Sequence, residues 1–187
     1  MKMEARKDVF AKHRRLHLHA QQHGHVGLLF TLSLPACFRP FNEAANGLQV
    51  PNPTYDGSTP RQGQEWLTKA WTRARALMAR QGLRVYGMRM VSPGRHGTPH
   101  WHVLLWAENE TSLQNARHIL RDSWLRDDGG APCAAYRVLA FKLGWRDGLG
   151  EVDAYLTNSE RASVWAAAWG VVLVTYFGMP DAEGAAA

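Results

Sequence analysis

Two histidines separated by one tryptophan, His100 and His102 in GTPHWHVLLW (Gly97 to Trp106), are the pair whose type and spacing point most directly to chemistry. The run that follows them is apolar and rich in strand formers, so the pair belongs to an extended segment in which alternate side chains share a face. His100, His102, Leu104 and Trp106 then point one way, and Trp101, Val103 and Leu105 the other. Two imidazoles rooted about 7 Å apart on one face can both aim a ring nitrogen at a single metal ion. Imidazole accepts several divalent metals, manganese among them, while manganese and magnesium also take oxygen ligands. Two histidines leave most of a coordination sphere open, and a substrate phosphate oxygen can enter it. The spacing alone is equally compatible with partly buried polar filler or a chance surface pair. A cupin-like metal site is a poor match, because a jelly roll needs more strands than this chain's long helical segments leave room for.

The charge pattern points to a polyanionic partner. Formal net charge is +6 and the pI is near 9.7. Lysine occurs only as Lys2, Lys7, Lys12, Lys69 and Lys142, so the positive side is nearly all arginine. A planar guanidinium suits bidentate phosphate recognition. A merely soluble basic surface would show the same balance. Cys37 and Cys133 stand far apart in no metal-ligand or redox spacing, so nothing calls for an oxidising compartment. The basic N-terminus lacks the apolar core of a signal peptide, and GVVLVTYF near the end is too short to span a bilayer. These features lead us to expect a cytoplasmic protein with no membrane segment.

The elements that must position the histidines can be read along the chain. Residues 3 to 22 suit a basic helix whose His-rich face reads as solvated surface, or as a metal tract. GLLFTLSLP, Gly27 to Pro35, is a strand stopped by proline, and FRPFNEAANGLQVPNPTYDGSTP is a long surface loop. Thr59, Pro60 and Gln62 form a cap, first-turn proline and capping box. Trp66, Leu67, Ala70, Trp71, Ala74, Leu77 and Met78 then recur at helical spacing until Gly82, with Lys69, Arg73, Arg75 and Arg80 on the opposite face. Leu83 to Val91 reads as a strand, SPGRHG as a turn and TPHWHVLLW as the returning strand of a hairpin. A second helix fits Thr111 to Leu125, broken by the cluster from Asp127 to Gly130. AYRVLAFKLGW is a strand, GLGEVDAYLTNSERASVWAAAW becomes helical, and GVVLVTYF closes the chain as a strand. This order predicts an α+β fold, a central antiparallel sheet with helices packed mainly on one face. The expected organisation is a basic helix over 1–23, one domain over 24–179 and a frayed tail over 180–187.

GTPHWHVLLW resembles the signature of the HUH endonuclease superfamily, in which two histidines flank a bulky hydrophobe, and specifically that of the bacteriophage replication gene A protein family. GLLFTLSLP resembles the family's first strand motif, PNPTYDGSTPRQGQEWLTKAWTRARALMARQGLRVYG its helix and lead-in strand, and ERASVWAAAWGVVLVTYFG its closing segment. The blocks occur in the family's order and span roughly residues 24 to 178. The resemblance implies an HUH nuclease of ferredoxin-like, palm-type fold that initiates rolling-circle replication. In such enzymes a tyrosine hydroxyl attacks a scissile DNA phosphate while a metal ion, manganese or magnesium, polarises a non-bridging oxygen. A 5′-phosphotyrosine link and a free 3′-hydroxyl result, and the joint can be resealed because the phosphodiester is exchanged.

Carried onto this sequence, the resemblance puts the nucleophile in GLGEVDAYLTNSER at Tyr155. The family's second tyrosine and its lysine are absent there: Glu151 stands four before, Ser159 four after and Asn158 three after. Tyr136 in AAYRVLAFK is the fallback, and Lys142 could replace the missing lysine in space. Related initiators place a carboxylate eight residues before the first histidine as third metal ligand. Here that position is Ser92, a poor ligand for a hard cation, and His96 in the turn is the other choice.

The tyrosine must reach a phosphate free of its bases, which favours single-stranded DNA. Arg84, Arg89, Arg137 and Arg146 lie on or beside strands and could track its backbone, while Trp101, Trp106 and Trp145 could stack bases or fill the core. Full-length relatives of the family are longer, so the resemblance implies a monomeric nuclease core acting at a replication origin with unwinding left to a host helicase. Two readings follow: a metal-dependent nicking and joining endonuclease, or a DNA-binding module whose catalysis has weakened at Ser92 and Asn158.

Overall fold

The computed structural model describes residues 3–94, 96–126, 138–142, 150, 152, 155 and 159–178. Helix α1 (Met3–Gln22) leads into β1 (Val26–Leu32), and a short ribbon follows, β2 (Phe41–Glu43) and β3 (Gln49–Pro51). Helix α2 (Pro60–Arg80), strands β4 (Val85–Pro93) and β5 (Pro99–Ala107), and helix α3 (Glu110–Leu125) make up the middle of the chain. Strand β6 (Val138–Lys142), helix α4 (Ser159–Trp169) and strand β7 (Val174–Phe177) complete the described elements. Five strands form one sheet in the order β6-β1-β5-β4-β7, every neighbour antiparallel. The α+β layering expected from the sequence is therefore the architecture observed.

Local chemistry accounts for the long central elements. Thr59 caps α2: its hydroxyl accepts from the Gln62 amide while the Gln62 side chain accepts from the Thr59 amide, a reciprocal box with Pro60 at the first turn. Gly82, at φ +68°, ends the helix in a conformation that a Cβ would strain. Asn109 caps α3 through its side-chain oxygen on the Ser112 amide.

The sheet buries both faces. On one, Trp101, Val103, Leu105 and Ala107 of β5 pack with Leu67, Ala70, Trp71 and Met78 of α2 and with Leu113, Leu120 and Trp124 of α3. Trp165 of α4 joins this side and donates from its indole to the Gly97 carbonyl. The other face carries Leu29, Tyr86, Met88, Met90, Leu104 and Trp106 against Val9, Leu16 and Ala20 of α1, with Val152. Trp101 and Trp106 are thus core residues, 0% and 3% exposed, and unavailable for base stacking.

The His-rich face of α1 is not the solvated surface expected. His13 and His17 are buried, and His13 packs on Trp106 with centroids 5.9 Å apart. Positions 9, 13, 16, 17 and 20 make one helical stripe, and its apolar character is hidden in the sequence because two of its members are histidines. At the end of this helix His19, His23 and His25 gather around Tyr86, with ring centroids 4.2 to 5.6 Å apart among the three and the His25 Nδ1 bonded to the Tyr86 hydroxyl at 2.9 Å.

Burial and then the neighbouring imidazoles lower the pKa of His19 and His25, with Glu108 opposing weakly at His25. The folded state therefore disfavours the charged form, so the unfolded chain binds more protons as pH falls. This contribution to stability is complete above the ordinary value of 6.5 and is lost below it. Melting temperature is expected to drop between pH 7.5 and pH 5.5, and the drop is expected to shrink in the His19→Gln, His25→Gln double variant. An equally steep drop in that variant would remove the cluster as its source.

The segment expected as one long surface loop has internal order. Strands β2 and β3 pair antiparallel, Phe41 with Pro51 and Glu43 with Gln49. Asn52, 7% exposed, ties the ribbon's base: its amide donates to the Ala36 and Arg39 carbonyls at 2.8 Å each, and its oxygen accepts from Asn42 and Thr54. An Asn side chain that satisfies several backbone groups substitutes for regular secondary structure. Among the described residues no helix is long and apolar enough to cross a membrane.

Candidate active site

The face of the sheet beneath α1 changes character along β5. Its apolar cluster ends at Met90 and Leu104, and the next residues on that face are Thr31, His102, Ser92 and His100. Thr31 pairs with His102 across β1 and β5, and Ser92 pairs with His100 across β4 and β5. The hairpin therefore puts Ser92 directly opposite the first histidine.

The two imidazoles stand with centroids 5.0 Å apart and planes nearly perpendicular. The Thr31 hydroxyl bonds to His102 Nδ1 at 3.3 Å. This partner holds the ring, the usual second interaction of a metal-binding histidine. Burial, and then the adjacent His102, depress the pKa of His100 to about 4, so its ring is neutral and keeps a lone pair at neutral pH. Two adjacent imidazoles on one polar patch fit a divalent cation as partial ligands. They do not enclose one, and no group of three His, Cys, Asp or Glu among the described residues is arranged to hold a metal. Among the described residues, Ser92 stands opposite His100 as a neutral oxygen, and water or substrate oxygen would supply further ligands to a bound ion.

His96 bonds to the ribbon rather than to this pair. It is exposed in the hairpin turn, donates from Nε2 to Gln49 Oε1 at 2.6 Å and packs on Phe41 with centroids 4.9 Å apart.

Tyr155 is helical and rests on the same sheet face, against the cluster that contains Met88, Met90 and Leu104. Its hydroxyl donates to the Val91 carbonyl at 2.8 Å and approaches the Leu173 carbonyl at 3.4 Å. Val91 donates its own amide to Leu173, so the hydroxyl lies in the seam between β4 and the start of β7, across β4 from the histidines. Burial pushes its pKa above the ordinary phenol value, the Val91 carbonyl notwithstanding, and the group is a phenol at neutral pH.

The remaining sequence-derived residues are scattered. Arg89 points to the opposite face, its guanidinium 3.9 Å from the Trp101 ring and bonded to the Thr175 hydroxyl at 3.1 Å. Burial lowers its pKa to about 10, and its position serves the core rather than a surface track for DNA. Arg84 is exposed just before β4. Lys142 pairs with Leu28 on β1, three residues or about 10 Å along the strand from the level of Thr31 and His102. Tyr136, Arg137, Arg146 and Trp145 fall outside the described residues.

Beside His100 opens a cleft of about 510 Å³ that sequence reasoning missed. His96 and His100 line it from the hairpin, Phe41 and Glu43 from β2, Gln49 from β3, and Arg39 from the preceding turn. Its only advance signal was the length of the Pro-, Asn- and Gly-rich segment, and the contribution of Thr31 carried none.

The profile described as Bacteriophage replication gene A protein (GPA) matches residues 4–141, which takes in α1, the ribbon and both histidines. The replication protein of Haemophilus phage HP1 is 29% identical over 92% of this chain and 24% of its own length. The replication gene A protein of Escherichia phage 186 is 34% identical over 56% of the chain and 14% of its length. A probable replication endonuclease from a prophage-like region of Escherichia coli O6:H1 is 34% identical over 95% of the chain and 25% of its length. The chain thus spans a quarter or less of the curated relatives it matches, and no solved structure matches it. Since the profile covers well over half of the chain, this protein belongs to the bacteriophage replication gene A protein family.

Proposed function

We propose that the chain is the DNA-nicking and joining part of a rolling-circle replication initiator of the HUH type, with Tyr155 as nucleophile and His100 and His102 as metal ligands. The observation that carries this reading is the polar end of one sheet face: two histidines side by side, His100 held neutral by burial, with a tyrosine hydroxyl one strand away on the same face. Relatives named as replication endonucleases support it.

Manganese or magnesium held by His100 and His102 would supply positive charge against a non-bridging oxygen of the scissile phosphate. Thr31 orients His102, and β5 holds both rings rigid between β1 and β4. Tyr155 leaves the Val91 carbonyl to attack: its oxygen bonds to phosphorus, the bond to the 3′ oxygen breaks, the phenolic proton is lost, and the 3′ oxygen takes up a proton. The 5′-phosphotyrosine that forms conserves the bond for later resealing, and the 3′-hydroxyl primes synthesis. The substrate is single-stranded DNA at an origin, and duplex unwinding belongs to a host helicase.

The test is a labelled single-stranded random-sequence DNA pool incubated with manganese and resolved on a denaturing gel. A covalent adduct is expected, and in the His100→Ala, His102→Ala double variant it is expected to fall at least about a hundredfold, since the charge supplies several kcal/mol. Metal affinity and adduct yield unchanged in that variant would overturn the site. DNA binding with no adduct in any divalent metal would favour the weakened-module reading, for which Ser92 opposite His100 is the motivating observation.

A further inference from the structure

The cleft beside His100 differs in character from the rest of this basic chain. Among the described side chains lining it, Arg39 is the one permanent cation, and it is matched by one carboxylate, Glu43. A track for phosphates would be lined with cations and free of carboxylates, because a carboxylate next to a phosphate is repelled at short range. What the walls offer instead is a flat and a polar element. Phe41, 41% exposed, stacks at a tilt against His96, and His96 is pinned by Gln49 across the ribbon. Glu43 sits two residues from Phe41 on β2 and pairs with Gln49. An aromatic platform beside a group that hydrogen-bonds base edges is how proteins receive unstacked nucleobases.

Position and rigidity point the same way. The cleft runs directly to His100, so its occupant lies next to whatever phosphate the histidines engage. Its volume falls within the roughly 300–1,000 Å³ of small-molecule pockets, enough to admit a nucleotide. The ribbon that forms its wall is held by the Asn52 network, so the platform is in place before a ligand arrives.

We infer that this cleft holds one unstacked base of the single strand, flanking the phosphate at His100, and selects bases that carry an exocyclic amino group. Phe41 and His96 form the stacking surface and Glu43 accepts from the amino group. A carboxylate only accepts hydrogen bonds, and it pairs with the amino donor of cytosine in the same way. Thymine carries no such donor and is disfavoured. The inference rests on the proposed single-stranded DNA substrate.

The experiment is fluorescence anisotropy of 5′-labelled (dC)12, (dA)12 and (dT)12 in the presence of a chelator, which separates binding from cleavage. The native chain is expected to bind (dC)12 and (dA)12 about fivefold or more tighter than (dT)12, in proportion to one discriminating contact. Glu43→Gln is expected to erase that preference, and Phe41→Ala to weaken all three about tenfold. Both side chains are exposed, so neither change reaches the core, and a thermal melt checks this. Unaltered affinities and preference in both variants would overturn the base pocket while leaving the histidine-dependent adduct intact. Failure of the native chain to bind any of the three oligonucleotides would instead sink the substrate reading beneath it.

Discussion

Tyr155→Phe is expected to reduce the covalent protein–DNA adduct to background while leaving the chain folded. Phenylalanine keeps the ring that rests against the cluster under α1 and removes only the oxygen that would bond to phosphorus. The structural loss is one hydrogen bond, from the hydroxyl to the Val91 carbonyl at 2.8 Å. Such a bond contributes about 1 kcal/mol, which shifts the melting point of a domain of this size by about 2–4 °C. Activity and stability should therefore separate by orders of magnitude, and a denaturing gel beside a thermal melt reads both. An adduct that persists in Tyr155→Phe but vanishes in Tyr136→Phe would move the nucleophile to the earlier tyrosine.

The largest effect on folding is expected at Gly87, in the middle of β4. A Cβ built there lands on the Leu104 carbonyl oxygen of the paired strand and meets the Phe177 ring at 3.0 Å. Neither obstacle can yield cheaply, because one is backbone and the other belongs to the neighbouring strand β7. Gly87→Ala is expected to cost at least about 3 kcal/mol by overpacking and to lower the melting temperature by about 6–12 °C. A variant that melts within about 2 °C of the native chain would mean that β4 and β5 separate there without penalty.

What was legible in the sequence was mostly local. The capping box at Thr59 and Gln62 and the stop at Gly82 depend on neighbours a few residues away, and each is found where the sequence places it. The hairpin runs two residues further than the sequence suggests, since Ser92 and Pro93, read into the turn, pair with His100 and Pro99. The alternation that put His100 and His102 on one face is likewise a property of a single strand. Non-local facts were hidden. Nothing near Thr31 says that β1 lies between β5 and β6, so the hydroxyl that orients His102 carries no advance mark. His13 and His17 read as polar although they complete the buried stripe of α1, because an imidazole packs like an aromatic ring once its helix docks. Arg89 misled for the converse reason: its charge suggests a surface, whereas parity along β4 sends it to the face of Val91 and Trp101.

The docking of α1 has a geometric consequence for any polymer that binds at the histidines. With Val9, Leu16 and Ala20 seated on the middle of that sheet face, the broad surface on which a strand could lie flat is already roofed. Among the described residues, α1 leaves uncovered the far margin, where Leu104 gives way to His102 and His100, and this margin leads into the cleft walled by the ribbon. Under the proposed function, a nucleic-acid strand bound at the histidines would cross that margin edgewise, with one short stretch presented at a time. A narrow doorway of this kind suits an enzyme that must act on a single phosphate in a long chain.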